Sequence, residues 1–271
     1  MKLLVVSPGT GARWVREGLV AFRRAPMAFF SLFMIFMAGM ALLASLPLVG
    51  VPLAVALGPA STLAIMVASE TVWRQQRGGA LPLARPGQSA PPLSARVFMA
   101  AWGAVREKAR PLAVMGALYA VAVLLIGQLA SLLIGDPMAD AINTDGTFKA
   151  EVVRSGAFQG AMILRMLIYV PVALAFWHAP ALLHWHGVPP VKALFFSFVT
   201  CIRNIGAMGV FILCWTGVAL AASLALALVG SLLASVAGPM GAGVMVGGTF
   251  LLSAMFFASA WFSFRDCFQA D

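Results

Sequence analysis

Apolar positions in this chain run in blocks far longer than a globular core requires. Between Arg24 and Glu70 stand 45 residues without a charge, more than twice the ~20 that cross a bilayer as a helix. Pro47, Gly50 and Pro52 punctuate their middle, which predicts two helices joined by a tight turn. A further 25 uncharged residues separate Arg110 from Asp136, bounded by Pro111 and by Gly135-Asp136-Pro137, and predict one complete span. A fourth is expected from about Met162 to Leu183, closing on His184, Trp185 and His186, because aromatic and ionisable residues collect at interfaces. The 61 residues between Arg203 and Arg265 hold two more, split near Gly238-Pro239. The pattern therefore predicts an all-α polytopic membrane protein of six transmembrane helices, a single integral membrane domain over 1–271.

Composition agrees. The chain is 62% hydrophobic and only 10% charged, with mean hydropathy +0.96, whereas soluble domains carry roughly a quarter charged residues. A net charge of +9 would suggest nucleic acid in a soluble protein. Here it serves orientation and attraction to anionic headgroups, so the expected partner is the lipid bilayer and no nucleic acid.

Charge also predicts the threading. With the N-terminus inside, inner segments collect 15 of the 18 Lys and Arg, from Lys2, Arg13 and Arg16 through Arg74, Arg96 and Arg106 to Lys192 and Arg265. Outside remain Lys149 and Arg154, with Arg165 at the start of the fourth span, beside Asp136, Asp140, Asp145 and Glu151. This predicts both termini in the cytoplasm. The start Met1-Lys2-Leu3-Leu4 breaks at Pro8 and Gly9, too soon for a cleaved signal, so the first span is expected to stay as an anchor.

Three stretches preceding the odd spans resemble one another: 14–26, 99–111 and 194–206. In the first, Val15, Leu19 and Phe22 fall at i, i+4 and i+7 against Arg13, Arg16, Glu17, Arg23 and Arg24; in the second, Phe98, Ala101, Trp102 and Val105 oppose Arg106, Lys108 and Arg110. That periodicity predicts helices lying at the headgroup surface. Arg23, Arg24, Lys108, Arg110 and Arg203 are the candidate contacts to anionic lipid. Three tandem units follow as an expectation, each an interfacial helix plus a two-span hairpin, over 10–78, 94–188 and 190–268. The positive-inside rule alone would also put basic residues before each odd span. The Pro- and Gly-rich segment 77–93 reads as a flexible cytoplasmic linker, with Ser94 expected to cap the next helix. Outside, 136–154 is the only sizeable loop, and Asn143-Thr144-Asp145-Gly146 is a turn signal. Ala141 sits where a calcium loop would need a ligand, which argues against one.

Candidate chemistry is sparse. Cys201, Cys214 and Cys267 are scattered, with no C-x-x-C and no zinc spacing. Arg165 and His178 are intramembrane ionisable residues, hence candidates for a polar pathway, with Gln128 and Glu70. Arg165 also lies where its stem can snorkel to the headgroups. A single deep His makes a poor metal or haem site, and His184 and His186, two apart, occupy different helix faces, so no metal and no cofactor is expected. Glu70 precedes Arg74 by four, the favoured order for a helical ion pair. Asn204, Gln128 and Gln159 could hydrogen-bond across helices. Small residues form rows: Ser223, Ala227, Ser231 and Ser235 every four positions, Gly217, Ala221 and Ala225 beside them, and Gly243 with Gly247 in the sixth span. Such rows predict close packing of spans five and six with each other or with a second copy.

No Walker A loop, intramembrane aspartate pair or G-x-S-x-G motif occurs, so no enzyme is expected. Mid-membrane carboxylates of the kind ion-coupled carriers use are missing too. The Trp14 to Pro26 helix, Gly58-Pro59-Ala60 followed by Glu70, Ala179-Pro180-Ala181, and Ala193-Leu194 with Ser197 and Arg203-Asn204 resemble a family of bacterial six-span inner-membrane proteins defined by similarity rather than activity. The resemblance implies a bacterial inner-membrane address and no reaction. The expected function is a non-enzymatic scaffold or assembly factor with basic interfacial helices at the cytoplasmic leaflet, with a homodimer or a membrane-protein partner as candidate assemblies. The alternative is a transporter or channel for an apolar or weakly polar solute or lipid.

Overall fold

A computed structural model of the chain describes residues 2–78, 91–143, 147–237 and 240–269. Most of the 77–93 linker, the centre of the 143–146 turn and Gly238-Pro239 lie outside the described residues. Strand β1 (Lys2–Leu3) precedes the interfacial helix α1 (Thr10–Arg24). Span 1 is α2 (Pro26–Ala44), and span 2 is broken into α3 (Gly50–Ala56) and α4 (Gly58–Gln76). Next come the second interfacial helix α5 (Leu93–Glu107), span 3 as α6 (Ala109–Ile134), and the short loop helices α7 (Pro137–Ala141) and α8 (Ala150–Arg154). Span 4 is α9 (Gly156–Trp177) continued by α10 (Ala179–Trp185), and α11 (Pro190–Arg203) is the third interfacial helix. Spans 5 and 6 are α12 (Ile205–Ala237) and α13 (Met240–Cys267), and β2 (Phe268–Gln269) closes the described chain. Six helices are thus long and apolar enough to cross a membrane, in the places the uncharged runs predict.

Both breaks in the even spans carry a proline in the first turn of the following helix, Pro59 and Pro180, where its fixed φ is tolerated and its missing N–H costs nothing. α5 departs from expectation at its start. Pro92, extended at φ −57° and ψ 152°, is the N-cap, and Ser94 lies within the first turn with no capping bond. Proline already sets the non-helical backbone that a cap residue needs, so the helix begins two residues earlier.

β1 pairs antiparallel with β2, Lys2 opposite Gln269, so the two ends of the chain meet on one face of the bundle. Asn204, 2% exposed, ties this terminal face further: it accepts from the Val6 N–H at 2.8 Å and donates to the Leu4 carbonyl at 3.0 Å, standing in for a strand partner. The three interfacial helices pack in a cyclic order, α1 on α13 and α12, α5 on α4, and α11 on α9 and α10. Each lies on the even span of the hairpin before it, and the first lies on the last.

That packing corrects the headgroup placement expected for the apolar stripe of α1. Trp14, Val15 and Phe22 are buried against protein, and Gly11 and Gly18 are the reason. A Cβ on Gly11 would run into the Ala207 carbonyl oxygen, and one on Gly18 into Ser259, so α1 sits backbone to backbone on spans 5 and 6. Lipid tails are as apolar as a core, so burial alone does not drive helix association there; close contact and hydrogen bonds do.

Of the two partners expected for the small-residue rows, the structure does not give them the facing span of the same chain. Spans 5 and 6 pack along each other, but Gly217, Ser223, Ala227 and Ser231 face outward, and Gly243 and Gly247 have nothing within 4 Å of a notional Cβ. The close approach is at Gly248, against the flexible end of Leu226. A long side chain reaching a single glycine replaces the small-on-small seam.

Candidate functional site

Polar side chains cluster on the terminal side of the bundle. Glu70 takes the Arg74 guanidinium at 2.7 Å and the Trp185 indole N–H at 3.1 Å, joining spans 2 and 4. Asp266 accepts from Arg13 at 2.8 Å and Trp14 at 2.9 Å, while Arg265 reaches Glu17 at 2.7 Å, joining α1 to span 6. His178 is fully buried at the α9–α10 break: its N–H donates to Ser197 Oγ at 2.9 Å and its Nε2 lies 3.0 Å from Ser263 Oγ. Ser263 Oγ also accepts from the Trp177 indole at 3.0 Å, and Ser197 donates to the Leu174 carbonyl at 2.8 Å. His178 is therefore a bracket holding spans 4 and 6 and α11 together. Cys201, 3.7 Å from His178 Nδ1, is buried, and burial pushes its thiol up to about 12, leaving it protonated and unreactive.

The remaining candidates do not converge with His178. Arg165 lies near the far end of span 4, pairing with Asp136 at 3.6 Å and donating to Ser131 Oγ at 3.2 Å. Gln128 is exposed on span 3. Arg23, Arg24, Arg110 and Arg203 are exposed, and Lys108 pairs with Glu107 at 2.8 Å, which holds the Glu107 carboxyl below its usual range. Among the described residues, no group of three or more His, Cys, Asp or Glu could hold a metal.

What the spans do enclose is a cavity of about 640 Å³ to which all six contribute. Phe33, Phe36, Met37 and Met40 come from span 1, Val55 and Gly58 to Ile65 from span 2, and Tyr119 and Val123 from span 3. Phe176 and Trp177 of span 4, Ile212 of span 5 and Phe256, Phe257 and Ala260 of span 6 complete it. The volume lies within the range of ligand sites, roughly 300–1,000 Å³. Among the described residues, no charged side chain lines it. Its position follows from the two helix breaks, since Gly58 opens α4 and Trp177 closes α9.

The cavity has a side opening. Spans 4 and 5 meet at Trp177 and Phe211, ring centroids 5.7 Å apart, and share no extended contact among the described residues. Toward the far face, Met166 and Leu167 on span 4, and Leu220, Leu224 and Leu228 on span 5, are exposed. Ala173 and Ile212, lining the cavity from either side of this gap, are exposed as well. Sequence reasoning missed the cavity, whose walls are ordinary apolar residues spread over 228 positions of chain, from 33 to 260. The only local signal was the pair of prolines that break the even spans.

Comparison with known proteins gives one informative match. A probable inner membrane protein of Burkholderia thailandensis is 34% identical over 271 residues, covering 99% of this chain and 94% of the relative. No protein-family model matches the chain. No solved structure matches it either.

Proposed function

This chain belongs to the family of the Burkholderia thailandensis probable inner membrane protein, and from that premise we propose that it is a non-enzymatic multi-pass protein that takes an apolar, lipid-borne molecule into its bundle. The observation that carries the reading is the uncharged cavity walled by all six spans and opening between spans 4 and 5. A molecule dissolved in the bilayer reaches such an opening without crossing water. A polar carrier would need a wet path through Arg165, His178 or Gln128, and none of these lines the cavity. We further place the terminal face in the cytoplasm, where the exposed Arg23, Arg24, Arg110 and Arg203 meet anionic headgroups.

A scaffold role draws on a different observation, the outward row of Ser223, Ala227 and Ser231, which suits a neighbouring helix. The cavity favours ligand handling over it. The test is photo-crosslinking in proteoliposomes with a long-chain fatty alcohol bearing a diazirine in its chain. Adducts at Phe36, Met37 and Ala173 are expected. Labelling confined to outward residues such as Leu224 and Leu228 would overturn the proposal.

A further inference from the structure

The cavity's walls say more than that it is apolar. Its aromatic lining includes Phe33, Phe176, Trp177, Phe256 and Phe257, drawn from three different spans. Rings of this kind favour a flat partner, which they meet by offset stacking or edge contact at roughly 0.5–1.5 kcal/mol per pair. Met37 and Met40 supply adaptable surface beside them.

Three hydroxyls gather at one spot on this wall. The Tyr119 ring lies against Gly58, 2.7 Å from where a Cβ would stand, and tilts on Phe176 with centroids 4.8 Å apart. Its hydroxyl has no hydrogen-bond partner among the described residues. Ser61 and Thr62 both donate to the Gly58 carbonyl, at 2.8 and 3.1 Å. Their protons are committed, so toward the cavity they can only accept. The site thus offers one free donor and two acceptors, no charge, and a surround of rings.

Resting on the apolar-ligand reading above, we propose that the cavity binds a quinone-class lipid, an uncharged carbonyl-bearing ring on an apolar tail. The ring packs among Phe176, Trp177 and Phe256, and a ring carbonyl accepts from the Tyr119 hydroxyl. In the reduced form, a ring hydroxyl donates to Ser61 or Thr62. The tail leaves through the gap past Ala173 and Ile212 into the bilayer. An acyl phospholipid fits less well, because its charged headgroup finds no counter-charge in the cavity and its chains make no use of the Tyr119 donor.

The test is titration of the purified protein in nanodiscs with a short-tailed quinone, read by quenching of Trp177 fluorescence, and displacement of that quinone by a fatty alcohol of matched length. The Trp177 signal is the difference between the native chain and Trp177→Phe. Saturable quenching by the quinone is expected, with affinity for it exceeding that for the alcohol. Tyr119→Phe, which keeps the ring against Gly58, should weaken quinone binding roughly three- to ten-fold, the worth of one hydrogen bond, and leave binding of a matched alkane, which cannot accept that bond, within two-fold. Ala173→Trp, filling the opening, should weaken both. Equal affinity for quinone and alcohol, or indifference to Tyr119→Phe, would overturn the quinone assignment while leaving the apolar cavity standing. Absence of saturable binding by either probe would overturn both readings.

Discussion

The two halves of this bundle are held by different physics. On the terminal side, indole and guanidinium donors find hydroxyl and carboxylate partners across helices: Trp215 to Ser259 at 3.0 Å, Ser69 to the Ala258 carbonyl at 2.8 Å, and the brackets at His178 and Asp266. Glycines there bring backbones into contact. On the far side, Leu132, Leu133, Leu224 and Leu228 are exposed, and the polar tie described between hairpins' helices is Arg165 with Ser131, Gly135 and Asp136. The difference teaches where a membrane bundle is rigid. Burial gives no preference for a neighbour over lipid, so the half with hydrogen-bonded seams is the more firmly held.

Substitutions should separate the halves in order of size. Gly18→Leu drives a side chain into Ser259 and should lower stability in micelles by about 3 kcal/mol or more, read by thermal unfolding. His178→Ala removes the imidazole contacts to Ser263 and Cys201, while the backbone bond to Ser197 stays, and should cost about 2–4 kcal/mol, with Cys201 becoming reactive to maleimide at neutral pH where the native thiol is not. Asn204→Ala should cost about 1–2 kcal/mol and expose the amide of Val6 to hydrogen exchange, while the Leu4 N–H stays on the Cys267 carbonyl. On the far side, Arg165→Gln breaks a long, partly exposed pair and two long hydrogen bonds to Ser131 and Gly135, and should change stability by less than about 1 kcal/mol. Ser223→Leu, on the outward row, should fall within about 0.5 kcal/mol of zero. A Ser223→Leu loss matching that of Gly18→Leu would erase the distinction and point to a second chain on that row.

Much of this fold is legible in the sequence, because span length and charge placement are local properties. The uncharged runs locate all six spans, and the i, i+4 spacing of Glu70 and Arg74 locates their ion pair. Partner identity is another matter. The stripe of Val15, Leu19 and Phe22 reads as amphipathic whether it meets lipid or protein, and only Gly11 and Gly18, seven apart on α1, hint at backbone contact. Likewise Ser223, Ala227 and Ser231 satisfy the small-residue spacing without touching span 6. His178 was visible as a buried histidine, but its partners lie 19 and 85 residues away. The cavity was illegible for the same reason, being made by helix breaks and a missing contact between spans 4 and 5.

The central claim is that this missing contact admits a bilayer-borne molecule. Native mass spectrometry of the chain released from lipid nanodiscs, alongside Ala173→Trp, tests it most directly. A retained apolar molecule at one per chain, lost from Ala173→Trp while that variant stays folded, is the predicted result. A native chain that carries no bound mass, or a bound mass unchanged by Ala173→Trp, would contradict it.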